Sequence, residues 1–184
     1  MKRTQRVRNV KEEDAEQITK IFNSYIGTGF AAFSEQSIPT EIFFFQMTVS
    51  TGFPCVVVVC DSSEGGKEEI VGFGISRQHH SGSSAFKRVA EVSYFVKETE
   101  THKGIGTMIL KELERRLHEE HEIIQLLAEV ASVNTQSIGF HENRGFKRVG
   151  QFFDVGFKDG ISFDLLWFQK TISSVSMFPV EKII

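Results

Sequence analysis

The stretch Phe95-Val-Lys-Glu-Thr-Glu-Thr-His-Lys-Gly-Ile-Gly106 joins a predicted strand to a predicted helix. Between the two elements lie two glycines, a lysine and a histidine, and Ile105 is the one bulky apolar side chain among them. Free backbone N–H groups and the positive end of the helix dipole meet at such a turn, and both attract a phosphate ester. The stretch therefore predicts a diphosphate-binding turn around which the rest of the chain is built.

Two common nucleotide-binding motifs do not fit this turn. A dinucleotide-binding motif needs a third glycine after Gly104 and Gly106, and strands separated by helices before it. A Walker loop needs Gly-Lys-Ser or Gly-Lys-Thr, which does not follow here. A Gly-x-Gly turn by itself is weak evidence, and a tight turn without a ligand is the alternative.

Length and composition are typical of one soluble globular domain. The 184 residues are 40% hydrophobic and 24% charged. A net charge of −3 gives no reason to expect nucleic acid or an anionic membrane as a partner. No apolar run reaches the roughly 18 residues of a membrane helix. The basic first residues have no apolar segment after them, so no secretory signal is expected.

The two cysteines, Cys55 and Cys60, lie five residues apart on one predicted strand. Their side chains would point to opposite faces of a sheet, so they cannot form a disulfide with each other. Free thiols in a buried strand are typical of a reducing compartment. We therefore expect a cytoplasmic protein.

Hydrophobic periodicity and turn residues predict the element order β-α-α-β-β-β-α-β-α-β-β. The fold class is α/β (α+β), with a central mixed, mostly antiparallel sheet flanked by helices and one β-α-β crossover at the glycine turn. A single domain is expected over residues 1–172, followed by a C-terminal extension over residues 173–184. The predicted strands span residues 7–10, 55–60, 70–76, 86–96, 123–130, 147–155 and 161–171, and the predicted helices residues 15–25, 38–47, 104–118 and 134–143.

Histidines occur in two pairs that could suggest a metal. His79 and His80 are adjacent in a predicted loop, where solvation is the commoner role. His118 and His121 are three residues apart, whereas the zinc-protease motif needs a spacing of four on one helix face. No metal site is expected.

The element order, the glycine turn and the later Asn134…His141…Gly145-Phe146 together resemble the GNAT superfamily of N-acetyltransferases. The family's turn has Arg or Gln, two residues, Gly, one residue, then Gly or Ala. Thr101 stands at the Arg or Gln position, which removes one side-chain contact. The segments that resemble the phosphinothricin/methionine sulfone acetyltransferase branch are Asn134-Thr-Gln-Ser137, Phe140-His-Glu-Asn143, Gly145-Phe146, Gly150, Gly156-Phe-Lys158 and Asp164.

The resemblance, which covers residues 5–171, implies acetyl transfer from acetyl-CoA directly to the primary amine of a small amino-acid-like acceptor. It implies that Phe95 and Val96 pair their backbone with the pantetheine arm, and that an N–H near Val96 binds the thioester oxygen. Asn134 would fix the pantetheine amide or cap its helix. A Cβ at either glycine of the turn would obstruct the diphosphate. The backbone amides that would hold the diphosphate are those of Lys103, Gly104, Ile105, Gly106 and Thr107.

Two residues are candidates for proton transfer. Glu91 matches the family's glutamate, and the resemblance makes it the base that deprotonates the acceptor ammonium, directly or through water. The alternative is a salt-bridged or solvent-facing strand glutamate. His141 stands where many relatives have a tyrosine that protonates the departing thiolate; as a neutral imidazole it would share the deprotonation. Its alternative role is a polar helix residue bonded to a neighbouring strand.

The acceptor site is less determined. Lys87 lies where relatives often have an arginine for the acceptor carboxylate, and a lysine lacks the bidentate guanidinium. Arg77 or Arg88 could replace it. Phe30 and Phe33 would form the apolar wall of the pocket, or a connector packed on the core. A polyamine or a protein N-terminus remains open as acceptor.

Three further expectations follow from the resemblance and its limits. Relatives are often dimers, so a homodimer is expected. A GNAT-like module that senses acyl-CoA or assembles without turnover is the main alternative to an enzyme. A different nucleotide ligand at the same turn is a weaker alternative.

Overall fold

The structure is a computed structural model that describes residues 4–48, 52–61 and 68–172. The predicted C-terminal extension, residues 173–184, lies outside the described residues. Single 3-10 turns occur at Glu12–Asp14, Ser84–Phe86 and Glu98–Glu100. The longer elements are β1 (Gln5–Asn9), α1 (Ala15–Ser24), α2 (Thr40–Thr48), β2 (Cys55–Asp61), β3 (Glu68–Gln78), β4 (Val89–Val96), α3 (Ile105–His121), β5 (Gln125–Ala131), α4 (Thr135–Glu142), β6 (Lys147–Lys158) and β7 (Ile161–Thr171).

The predicted element order and the mixed sheet are confirmed. The strands form one seven-stranded sheet in the order β1-β2-β3-β4-β5-β7-β6. All neighbouring pairs are antiparallel except β4 and β5, which are parallel and joined by the crossover helix α3. The crossover therefore places the predicted glycine turn at the end of β4, where the helix begins.

Element boundaries differ in places. β4 begins at Val89 and not at residue 86, because Ser84–Phe86 closes a 3-10 turn first. β6 continues to Lys158, past the predicted end at residue 155. Two register shifts in its pairing with β7 let a strand with Gly150 and Gly156 stay in the sheet.

The sheet separates two apolar cores. Side chains along β2 point alternately to its two faces, so this strand contributes to both cores. Val58 and Cys60 face the α3 side, where they pack near Ile109 and Leu113. Cys55 belongs to the core under α1 and α2. The two cysteines lie on opposite faces and form no disulfide with each other, as the sequence predicted.

Helix α3 lies unusually close to β3. An added Cβ at Gly74 would stand 2.3 Å from Ile109 Cγ2 and 3.0 Å from Leu113 Cδ1, and one at Gly72 would stand 2.8 Å from Ile105 Cγ2. Glycine at these two positions lets the helix approach the strand and fixes where the helix N-terminus lies. Within the described residues, no helix is long and apolar enough to span a membrane.

Replacing Gly74 by Ala is expected to lower the free energy of unfolding by about 1–3 kcal/mol, because Ile109 is β-branched and α3 must shift to admit the methyl group. Urea denaturation measures this change. Gly29→Ala is the matched control, since an added Cβ there meets nothing within 4 Å. Equal stability of the two variants would contradict the close packing of α3.

Candidate active site

The pairing of β4 with β5 is short. The two strands pair from Val89 with Gln125 to Glu91 with Leu127, and β4 then continues to Val96 without β5 beside it. The parallel strands therefore separate, and a gap opens on the side of β4 that faces β5.

The ladder between β3 and β4 decides which backbone groups face this gap. Lys97 N–H donates to Val71 O at 2.8 Å, so hydrogen-bonded pairs fall on alternate residues, including Phe95 with Phe73. The N–H and C=O groups of Val96 therefore point into the gap. Of the two residues predicted to pair with a pantetheine arm, Val96 presents its backbone there, together with Tyr94, while the backbone of Phe95 is used by β3.

The turn after β4 has the predicted open geometry. Gly104 is the N-cap of α3 with φ of 88°, a conformation that favours glycine, and no side chain caps the helix there. The first N–H groups of α3 therefore have no acceptor within the helix. An added Cβ at Gly104 meets nothing within 4 Å, whereas one at Gly106 would stand 3.0 Å from the Phe140 ring. In this structure the absence of a side chain at Gly106 makes room for the Phe140 ring. The sequence analysis had explained this glycine by the diphosphate alone.

A cavity of about 670 Å³, here called the turn cavity, opens over this helix N-terminus. Of the residues predicted to hold the diphosphate, Gly104, Ile105, Gly106 and Thr107 line it. Lys103 does not line the turn cavity, and its ammonium lies 3.2 Å from the Glu100 carboxylate.

Arg144 is a lining residue that the sequence analysis missed. Its guanidinium donates to Thr107 Oγ1 at 2.8 and 3.0 Å and lies 5.1 Å from the centre of the Phe140 ring. Arg144 therefore places a fixed positive charge beside the first turn of α3. The sequence did contain a signal for this residue: an arginine stands directly before Gly145, just after the end of α4.

A second cavity, of about 350 Å³ and here called the strand cavity, lies between β4, β5 and the loop after α1. Its charged lining residues in the described part of the chain are Arg77 and Glu129. The two cavities adjoin, since they share Phe30, Ala31, Tyr94, Phe95, Asn134 and Ser137 as lining residues.

The loop between α1 and α2 forms the outer wall of both cavities. Phe30 lines both, and Phe33 lines the strand cavity; their rings pack on Phe163 with centroids 5.3 and 6.1 Å away. Lys158 is buried, and its ammonium donates to Gly29 O at 2.6 Å and Ala32 O at 2.8 Å. The hairpin of β6 and β7 thus holds this loop in place over the cavities.

His141 is 3% exposed and lines the strand cavity. Its Nδ1 donates to Ser137 O at 2.8 Å, which leaves Nε2 as the acceptor of the Tyr94 hydroxyl at 2.5 Å. Burial lowers the pKa of His141, although the bond to Ser137 opposes this, and burial holds the pKa of Tyr94 well above its ordinary value. Both groups are therefore neutral near pH 7. Tyr94 is a second residue that the sequence analysis missed.

Asn134 caps α4, because its Oδ1 accepts from Ser137 N–H at 3.1 Å. The predicted capping role is confirmed. Asn134 also lines both cavities, so the predicted contact with pantetheine stays a prediction.

Glu91 lies at the last β4–β5 pair but lines neither cavity. Its carboxylate is 2.5 Å from Arg77 Nη2 and 2.6 Å from His79 Nδ1. His79 is therefore paired and not merely solvated, which the sequence did not indicate. In this structure Glu91 is therefore salt-bridged, which was the alternative to its role as the catalytic base. That role stays a prediction.

Lys87 and Arg88 are exposed and line neither cavity. No group of three or more metal-ligating side chains occurs in the described part of the chain.

An opened mixed sheet, with a bare helix N-terminus at the end of the gap, defines the class of acetyltransferases to which the sequence pointed. A family model described as Acetyltransferase (GNAT) domain matches residues 7–167. The chain belongs to this GNAT family and is an N-acetyltransferase.

Curated relatives fall in the predicted branch. Phosphinothricin N-acetyltransferase of Alcaligenes faecalis is 28% identical over 173 residues, covering 91% of this chain and 83% of the relative. L-methionine sulfoximine/L-methionine sulfone acetyltransferase of Pseudomonas paraeruginosa is 26% identical over 175 residues, covering 94% and 98%.

Solved structures show the same fold. A GNAT superfamily phosphinothricin acetyltransferase from Sinorhizobium meliloti in complex with AcCoA aligns with a TM-score of 0.77 at 25% identity, covering 93% of this chain and 89% of that one. An N-acetyltransferase from Staphylococcus aureus Mu50 aligns with a TM-score of 0.80 at 23% identity, covering 92% and 99%.

Replacing Lys158 by Met is expected to lower the free energy of unfolding by about 2 kcal/mol, because two carbonyls lose a charged donor. It should also speed cleavage by chymotrypsin after Phe30 or Phe33, since the loop loses its anchor. Urea denaturation and limited proteolysis measure the two effects. The exposed Lys147→Met is the control, and equal cleavage rates would contradict the anchoring role.

Proposed function

We propose that this enzyme transfers an acetyl group from acetyl-CoA directly to the primary amine of a small acceptor, without a covalent enzyme intermediate. The observation that carries the proposal is the junction of the turn cavity with the strand cavity at Tyr94 and Phe30. A thioester bound along β4 would meet an amine from the strand cavity there. The curated relatives make amino-acid-like acceptors, such as phosphinothricin and methionine sulfone, the first compounds to test.

The diphosphate of CoA would lie on the backbone amides of residues 103–107. Support comes from the bare N-terminus of α3 and from the positive charge of Arg144 beside it. The Val96 C=O accepts the Tyr25 hydroxyl, so the Val96 N–H is the backbone group of that residue left to bind the thioester oxygen. Acetyl-CoA supplies the activated acyl group; the chain's own groups bind it and stabilise the developing negative charge.

The acceptor arrives as an ammonium ion, and a proton must leave before its nitrogen can attack. We assign this proton to Glu91, through water, because Glu91 stands at the edge of the gap. Arg77 and His79 hold its carboxylate in place.

Tyr94 and His141 form a second proton path. Tyr94 lines both cavities and its hydroxyl donates to His141 Nε2, so a proton taken up by the Tyr94 oxygen would be matched by one passed to the imidazole. The same path run backwards would deliver a proton to the departing thiolate. The neutral state of both groups near pH 7 suits a path that works in both directions.

Two alternatives remain distinct from this function. A sensor or assembly module of the same fold would bind acetyl-CoA without turnover, and it would need neither Glu91 nor the Tyr94–His141 pair. A different nucleotide at the turn would compete with acetyl-CoA, which ATP and NAD test directly. A polyamine or a protein N-terminus would use the same chemistry with another acceptor.

We further propose a homodimer in a reducing compartment such as the cytoplasm. Support for association comes from the exposed apolar side chains of Phe152, Phe153, Val155 and Phe157 on the edge strand β6. Support for the compartment comes from two buried cysteines that form no disulfide with each other.

Thiol release from acetyl-CoA, measured against a panel of amines, tests the enzyme directly. Glu91→Gln is expected to lower kcat/KM about 100-fold at pH 7, with the deficit shrinking at higher pH as free amine becomes abundant. Glu120→Gln, on the exposed side of α3, is the control. Acetyl-CoA binding without turnover of any amine would support the sensor instead.

Gly104→Val is expected to abolish acetyl-CoA binding, because the side chain would project into the turn cavity. Since Gly104 has φ of 88°, the variant should also lose about 1–2 kcal/mol of stability. Gly82→Val is the matched control: its φ is 89°, its added Cβ is equally free, and it lines neither cavity. Calorimetric titration measures binding, and retained affinity in Gly104→Val would refute the position of the diphosphate.

A further inference from the structure

Glu129 is the acidic residue of the strand cavity, and the sequence analysis did not single it out. It lies on β5, opposite Trp167 of β7, and it lines the cavity between the separated strands. Successive side chains of β5 point to opposite faces of the sheet. Ala128 and Val130 therefore enter the core under α3, while Glu129 faces the other side. The fold therefore brings a carboxylate to the acceptor side of the gap.

The carboxylate of Glu129 has no hydrogen bond or ion pair with any described residue, and only the longer-range charges of Arg77, His79 and Glu91 act on it. The cation of the same cavity, Arg77, is engaged by Glu91 at 2.5 Å. The neighbouring Trp167 Nε1 is buried and likewise has no hydrogen-bond partner in the described part of the chain. Of the two charged side chains that line the strand cavity, Glu129 is thus the one without an ion-pair partner among the described residues.

We propose, on the basis of the proposed function, that Glu129 selects acceptors that carry a second cationic group beside the reacting amine, such as a diamine or a diamino acid. An ammonium of the acceptor would pair with the Glu129 carboxylate, and that pairing would position the acceptor in the strand cavity. An acceptor with an anionic side chain would meet the Glu129 carboxylate and one guanidinium, that of Arg77, which is already paired with Glu91.

The electrostatics of the site agree with this assignment. Burial and the nearby charge of Glu91 raise the pKa of Glu129, and the charges of Arg77 and His79 only partly oppose them. Burial and the charge of Glu91 both disfavour the charged form of Glu129. A cation bound at this carboxylate would stabilise the charged form and so offset both effects. The interaction lies in a partly buried cavity, where a charged pair is screened less than on the surface.

Two matched sets of acceptors test the selection by steady-state thiol release at saturating acetyl-CoA. The first set is 2,4-diaminobutyrate, methionine sulfone and glutamate, which share the amino-acid group and carry cationic, neutral and anionic side chains. The second set is putrescine against butylamine. The cationic member of each set is expected to have the highest kcat/KM.

Glu129→Gln should raise KM for the cationic acceptors about tenfold, the size expected for losing one charge-assisted hydrogen bond. It should leave KM for methionine sulfone and butylamine, and the affinity for acetyl-CoA, unchanged. Glu129→Asp keeps the charge and should retain the preference, which separates loss of charge from loss of folding. A thermal unfolding scan of each variant provides the stability control, and Glu120→Gln the control for surface charge.

Each result has a definite meaning. A higher kcat/KM for methionine sulfone or glutamate, or an unchanged KM of Glu129→Gln for putrescine and diaminobutyrate, would overturn the inference and leave the proposed function standing. No turnover of any amine, with acetyl-CoA still bound, would overturn both.

Discussion

The separation of β4 from β5 is the constraint on which the rest of the site depends. Parallel strands joined by a helix normally hydrogen-bond along their length, but here the pairing ends at Glu91 and Leu127. Backbone groups of Tyr94 and Val96 are consequently left facing a gap. Backbone N–H and C=O groups at a strand edge need hydrogen-bond partners when they are shielded from water. An extended ligand can supply these bonds, and the glycine turn at the end of β4 lies where such a ligand would continue.

The walls of the gap come from distant parts of the chain. The loop after α1 is held by Lys158, more than a hundred residues later in the sequence, through carbonyls of Gly29 and Ala32. A buried ammonium is costly unless it is fully hydrogen-bonded, so the carbonyls and the lysine constrain each other. The loop therefore forms a wall of both cavities. Burial raises the pKa values of Tyr94 and Glu129 and lowers that of His141.

Much of the fold could be predicted from the sequence, because its signals are local. The β-branched run of β2, the amphipathic α3 and the turn residues gave the correct element order. Asn134 was recognisable as a helix cap. The boundaries of β4 and β6 were less predictable, since a 3-10 turn and register shifts depend on neighbouring strands. The pairing of His79 with Glu91 was not visible, because it joins a turn residue just after β3 to a side chain on β4, and the strand register brings them together.

The sequence by itself determined the strand–turn–helix with Gly104 at its centre, since backbone conformation follows from residue type within a few positions. Only the tertiary structure decided which side chains meet around it. Whether Tyr94 reaches His141, whether Glu91 is paired, and whether Glu129 stands alone depend on strand register and on the end of the β4–β5 ladder. Register is set by packing across the whole sheet, so no local pattern contains it.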